Sequence, residues 1–254
     1  MEQRPSRTRE FVNRRLGLAP ADNPSSSSAI NLPSIVVWLL GLMIVVFLIQ
    51  LVLPAVPQNQ LDRALGFVPD RFTEGLSQGQ PIIPLLFPLV SHAFVHGGPA
   101  HLIFNGLWMM IFGAGVARRM ATDSPQTSDR LWNTLWFVVF FCLCGVAGAL
   151  VFYVMNPSLP FPLVGASGAI SGLMGGAMRF VMRRLAPWGV VHGGLAPITS
   201  RPVAVVTALY IGTNLMTALG LDGSAGMNIA WEAHIGGYLC GLLTYPVFDR
   251  LVRR

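Results

Sequence analysis

The 254-residue chain contains no lysine and few charges of any kind; Asp, Glu and Arg together make up 11% of it. A soluble domain is usually about a quarter charged. That scarcity, beside 53% hydrophobic residues and a mean hydropathy of +0.58, excludes an ordinary water-soluble domain and defines a membrane protein. Cysteine is scarce too. Cys142, Cys144 and Cys240 all lie in apolar runs, odd in number and without C-x-x-C spacing. They exclude a disulfide framework and a zinc site and read as small buried hydrophobes. No convincing internal repeat is present, which argues against a small transporter built from paired broken helices.

What is present is a series of long apolar runs. Six stretches approach the roughly 20 residues that cross a bilayer: about 34–53, 101–117, 131–154, 163–182, 203–220 and 229–248. All seventeen basic residues are arginines, and their placement orients the runs. Arg4, Arg7, Arg9, Arg14 and Arg15 precede the first. Arg118, Arg119 and Arg130 separate the second from the third, and Arg179, Arg183, Arg184 and Arg201 the fourth from the fifth. Arg250, Arg253 and Arg254 follow the last, while only Arg63 and Arg71 fall on the other side. The expectation is six spans with both termini in the cytoplasm. The arginines then serve as topology signals, and nucleic acid is excluded as a partner. Residues 1–33, rich in Arg, Ser and Pro, read as a mobile cytoplasmic tail, and 249–254 as a short cytoplasmic end. No cleaved leader is expected, because the first apolar run is too long and starts too late. The long first outer loop, about 54–100, mixes apolar and turn residues and predicts short helices lying at the interface.

A polar side chain inside a span is expensive, so each one marks a candidate site. His101 and Asn105 open the second span, Ser167 lies about five residues into the fourth, and His234 about six into the sixth. These three spans all run from outside to inside. At about 1.5 Å rise per residue, the four residues fall within about one helical turn of a common depth. His101 and Asn105, four apart, share a helix face. The fourth span, "LPFPLVGASGAISGLMGGAM", carries small residues on nearly every side, so it belongs at the centre of a bundle. Ala233, Gly237 and Gly241 form a small-residue ridge on the sixth span, suited to packing on the fourth and bringing His234 to Ser167.

Taken singly, each of these residues has an ordinary structural explanation: packing for Ser167, a carbonyl partner for either histidine, an interhelical hydrogen bond for Asn105. Their agreement in depth points instead to acyl transfer. A serine is a weak nucleophile until a base removes its proton, and His234 is the base at matching depth in another span. Donors for a developing oxyanion are available from His101, Asn105 and the Ser167 backbone amide. Glu232 adjoins His234 but projects about 100° away around a helix, so the reading is a Ser–His dyad. His92 and His96, in the outer loop, read as structural, and His192 has no assigned role.

The segments "SHAFVHGGPAHLIFNGLW", "GASGAISGLMGG" and "AHIGGYLCG" resemble, in order and on the corresponding spans, the three signature regions of the rhomboid intramembrane serine proteases. The likeness covers about residues 34–248. It implies an all-α membrane protein, a six-transmembrane-helix rhomboid-like bundle with a central small-residue-rich fourth helix. It further implies Ser167 as nucleophile, His234 as general base, and His101, Asn105 and the Ser167 amide as oxyanion hole. The implied partners are the lipid bilayer and transmembrane protein substrates, cleaved near their outer end at a small residue; no cofactor or metal is implied. Two departures stand out. The Trp-Arg pair many members carry in the first loop is missing from "LDRALGFVPDRF". Ser171 occupies the position where some members place a tyrosine stacked on the catalytic histidine, so something else must orient His234. The fifth span with the loop "LDGSAGMN" (221–228) is the expected gate, and the inner membrane of a bacterium the expected location. The competing reading is a catalytically silent relative that binds or chaperones membrane proteins.

Overall fold

A computed structural model of the chain describes residues 31–185, 194–221 and 229–253. The expected tail lies largely outside these residues, as do His192 and positions 222–228 of the expected gate loop. Among the described residues the secondary structure is helical, and β pairing is limited to one isolated antiparallel bridge, Phe67 with Leu163.

Helix α1 (Ser34–Val52) begins after Pro33 and stops at Leu53, whose extended backbone is what a residue ahead of a proline adopts. It buries Val36, Leu39, Met43, Phe47 and Gln50, a stripe with three- and four-residue spacing. The other faces point outward, with Trp38 76% exposed, as suits a helix bathed in lipid. The buried end of that stripe is polar: the Gln50 amide donates to Asp62 and to the His96 carbonyl and accepts the His96 N–H. It ties α1 to the first loop. That loop contains the short helices its composition predicts: α2 (Ala55–Leu65), α3 (Pro69–Ser77), α4 (Ile82–Leu86) and α5 (Pro88–Ser91).

Helices α6 (Pro99–Arg119) and α7 (Thr127–Met155) follow; α6 contains one widened turn at Met109–Gly113. By length and composition α1, α6 and α7 are able to cross a membrane, with mean hydropathies of 3.0, 1.5 and 2.6, so the chain is an integral membrane protein. The remaining helices are α8 (Ser167–Val181), α9 (Arg201–Ala218) and α10 (Trp231–Leu251).

The fourth apolar run is not helical from its start. Helix α8 begins at Ser167 instead of near 163, because Leu163 exchanges backbone hydrogen bonds with Phe67 of the first loop and the Gly165 N–H donates to the His92 carbonyl. Hydropathy registers only that residues 163–166 are apolar. The backbone groups of Leu163 and the Gly165 N–H are committed to the first loop and are not free for a helical ladder.

Helices α8 and α10 pack backbone to backbone. A Cβ on Gly237 would run into the carbonyl oxygen of Gly168, and one on Gly241 into that of Gly172. Such close approach lets dispersion and weak Cα–H···O contacts hold the two helices together. Toward its C-terminal end α10 contains Pro246, which has no N–H to give the Leu242 carbonyl four residues back. Arg179 of α8 donates its Nη1–H to that carbonyl at 2.9 Å and its Nε–H to the Ala196 carbonyl at 2.8 Å. A residue read from sequence as a topology signal thus also satisfies a carbonyl stranded by proline. One turn further on, Arg119 of α6 makes a two-pronged ion pair with Asp249 of α10, at 2.8 and 3.0 Å.

Candidate active site

Ser167 is the first residue of α8. The first intrahelical bond there is donated by Ile170 to Ala166, so the amides of Ser167, Gly168 and Ala169 have no acceptor within the helix. His234 lies in the first turn of α10. Because Gly237 and Gly168 let the two backbones touch, the imidazole spans the remaining gap: His234 Nε2 and Ser167 Oγ are 2.9 Å apart.

The direction of that hydrogen bond follows from what holds the other nitrogen. His234 Nδ1 is 3.0 Å from Asn214 Oδ1, and the Asn214 Nδ2–H₂ group donates to the Tyr210 carbonyl at 2.9 Å. The amide nitrogen is therefore on the far side and the oxygen faces the ring. An acceptor at Nδ1 calls for a hydrogen there, which leaves the lone pair of a neutral imidazole on Nε2. In this arrangement Ser167 Oγ–H donates to His234.

A second chain of hydrogen bonds fixes the backbone of Ser167. Tyr210 OH donates to Ser171 Oγ at 2.6 Å, and Ser171 Oγ–H donates to the Ser167 carbonyl, also at 2.6 Å. The Tyr210 ring stacks on Tyr238, centroids 4.4 Å apart, and Thr207 and Tyr238 share a hydroxyl hydrogen bond of 3.0 Å. The serine at position 171 is thus linked to a tyrosine supplied by another helix.

His101 and Asn105 sit one turn apart on α6, as their spacing requires. Gly165, two residues before Ser167, has φ +107°, and a Cβ there would lie 2.6 Å from His101 Nε2. A side chain at 165 would thus be strained in backbone and would collide with the ring. The Gly97 N–H donates to His101 Nδ1 at 3.3 Å, which leaves Nε2 to carry the hydrogen on the Gly165 side. Asn105 is buried. One hydrogen of its Nδ2 goes to the His101 carbonyl at 2.8 Å, and its Oδ1 is enclosed without a protein partner. As a donor, Asn105 thus brings a single remaining N–H.

His92 and His96 occupy buried positions, His92 Nδ1 against the Pro88 carbonyl and the His96 ring edge-on to His101 at 5.2 Å. Burial first, and then the neighbouring His101, push the His96 imidazole down to about 4, so it is neutral near pH 7. Glu232 points away from the serine and accepts from Asn156 Nδ2 at 3.0 Å. The contact that sequence reasoning missed is Asn214. It was detectable as a polar residue inside the fifth apolar run, a few residues before its C-terminal end, but only carboxylates had been considered as partners for His234.

The rhomboid domain family matches residues 85–250, which takes in α6 to α10, and the chain belongs to that family. Two similar proteins come from Bacillus subtilis (strain 168). Rhomboid protease GluP is 29% identical over 160 residues, 62% of this chain and 24% of that protein. Putative rhomboid protease YdcA is 28% identical over 138 residues, 54% of this chain and 62% of that protein. The matched segments thus span about a quarter and about three fifths of the length of these relatives.

Proposed function

We propose that this protein is an intramembrane serine endopeptidase, with Ser167 as nucleophile and His234 as general base, acting on transmembrane segments of other proteins. The observation that carries the reading is the 2.9 Å contact of Ser167 Oγ with His234 Nε2, in a chain of the rhomboid family. In this proposal the six apolar runs form six crossings with α8 at their centre. Residues 34–248 are the protease core, and the segments 1–33 and 249–254 lie in the cytoplasm of a bacterial cell.

In the first step Ser167 Oγ attacks a carbonyl carbon of the substrate, and its proton passes to His234 Nε2. The carbonyl π pair moves onto the oxygen, which meets His101 Nε2–H, the remaining Asn105 N–H and the Ser167 amide. Collapse expels the amine, which takes the proton from His234 and leaves an acyl-enzyme. Water then attacks, gives its proton to His234, and releases the acid as Ser167 recovers that proton. A substrate helix must first unwind locally, because its carbonyls are otherwise engaged in its own hydrogen bonds.

Reconstituted wild type is expected to cut a model transmembrane substrate and to react with a fluorophosphonate probe. Ser167→Ala and His234→Ala should abolish both. Asn105→Ala should retain weak cleavage, since one lost oxyanion donor costs about 10²–10³ in rate. A wild-type protein inert to both substrate and probe would favour a silent, binding-only relative.

A further inference from the structure

We propose that Asn214 is the positioning residue of the general base, so that the dyad works within a Ser–His–Asn arrangement whose third member is supplied by α9. The inference rests on reading Ser167 and His234 as nucleophile and base. Helix α9 is mostly turned outward; Val203 and Asn214 are its buried residues among those described. An asparagine turned inward on such a helix gains nothing from dispersion that an alanine or leucine would not supply better. Its hydrogen bonds explain it. The Tyr210 carbonyl, one turn back, takes the amide N–H and fixes which end of the side chain faces the histidine; the free Oδ1 then meets Nδ1–H at 3.0 Å.

The chemistry suits the surroundings. When His234 takes the serine proton it becomes an imidazolium with both N–H groups donating, Nδ1–H to Asn214 and Nε2–H toward the reacting oxygen or leaving nitrogen. Asn214 accepts no proton at any stage. It holds one tautomer and one ring orientation, the role a third group plays in the convergent Cys–His–Asn arrangement. A carboxylate would add electrostatic pull but would be a further charge buried in a poorly solvated site, and such charges are expensive. Since Ser167 and His234 stand on α8 and α10, an outward shift of α9 would free the imidazole while leaving nucleophile and base on their common scaffold.

The test uses the full chain in liposomes with a fluorogenic transmembrane peptide, a fluorophosphonate probe, and ¹⁵N-histidine NMR with the His234 signal assigned through His234→Gln. Wild type is expected to show His234 as the Nδ1–H tautomer. Asn214→Leu should lower kcat by about tenfold to a thousandfold, between loss of one neutral hydrogen bond and a base held in the wrong tautomer. KM should stay unchanged and the ring should shift toward Nε2–H. Asn214→Asp, which keeps an acceptor oxygen, should hold Nδ1–H and cleave faster than Asn214→Leu. Probe labelling of Asn214→Leu at the wild-type rate, or an Nε2–H ring in wild type, would overturn the proposal. The NMR spectrum of the wild type decides it even where Asn214→Leu does not fold. Labelling that survives Ser167→Ala would instead sink the underlying nucleophile, a different result from an indifferent Asn214.

Discussion

The two sides of α10 are built on opposite principles. Toward α8 it offers glycines, and at Gly237 and Gly241 the backbones meet with no side chain between them. Toward α9 it offers Tyr238 and His234, and the contacts are side-chain hydrogen bonds from Thr207 and Asn214, with Tyr210 reaching past them to Ser171. The three α9 residues stand at i, i+3 and i+7, one face of that helix. A backbone seam has no rotamers to exchange and tolerates no added atom. A seam of polar side chains is held by a few bonds, each worth about 0.6 kcal/mol on average between membrane helices. The first keeps Ser167 and His234 in register, and the second aims the ring between them while leaving its helix separable.

The comparison can be broken most decisively at Gly237. Gly237→Val places two methyls where the Gly168 carbonyl already lies, and overpacking of this kind costs about 1–3 kcal/mol or more. The expected outcome is a protein that fails to purify folded or melts far below wild type. A wild-type melting temperature would mean the α8–α10 seam opens easily and the contrast is false. Arg179→Met probes the same side at its proline. Stripping the Leu242 carbonyl of its partner should cost about 1–3 kcal/mol, read as lost thermal stability with the remaining activity unchanged in KM. On the polar side, Tyr210→Phe removes the bond to Ser171 but keeps the stacking on Tyr238. A loss of about 1 kcal/mol in stability is expected, with a modest fall in kcat as the Ser167 carbonyl is held less firmly. Thr207→Val should do least, under about 1 kcal/mol by thermal unfolding and no change in probe labelling. Should Thr207→Val prove as damaging as Gly237→Val, α9 would have to be counted as scaffold.

Much of the site was legible in the chain. Polar residues are costly in lipid, so Ser167, His234, His101 and Asn105 stood out against their runs, and helical rise predicted a common level for them. The small residues of the fourth run and the Ala233–Gly237–Gly241 ridge foretold which helices touch. Asn214 was equally visible as an amide in an apolar run, but depth says nothing about which way a side chain faces. Ser171 shows the same limit: the sequence resemblance marked it as a departure from the tyrosine that some members of the family place there, whereas folding brings a tyrosine hydroxyl to it from α9. The commitment of Leu163 and Gly165 to loop one was hidden because backbone hydrogen bonds leave no mark in hydropathy.

Composition by itself thus determined that the chain lives in a membrane, and spacing predicted which side chains would share a depth within it. Both follow from the transfer cost of single residues, which is local to each position. The tertiary structure alone decided that His234 Nδ1 meets Asn214, that Asn105 uses one of its hydrogens on its own helix, and that Arg179 covers the carbonyl stranded by Pro246. These depend on the rotation of each helix about its axis, which is set by packing among several helices at once.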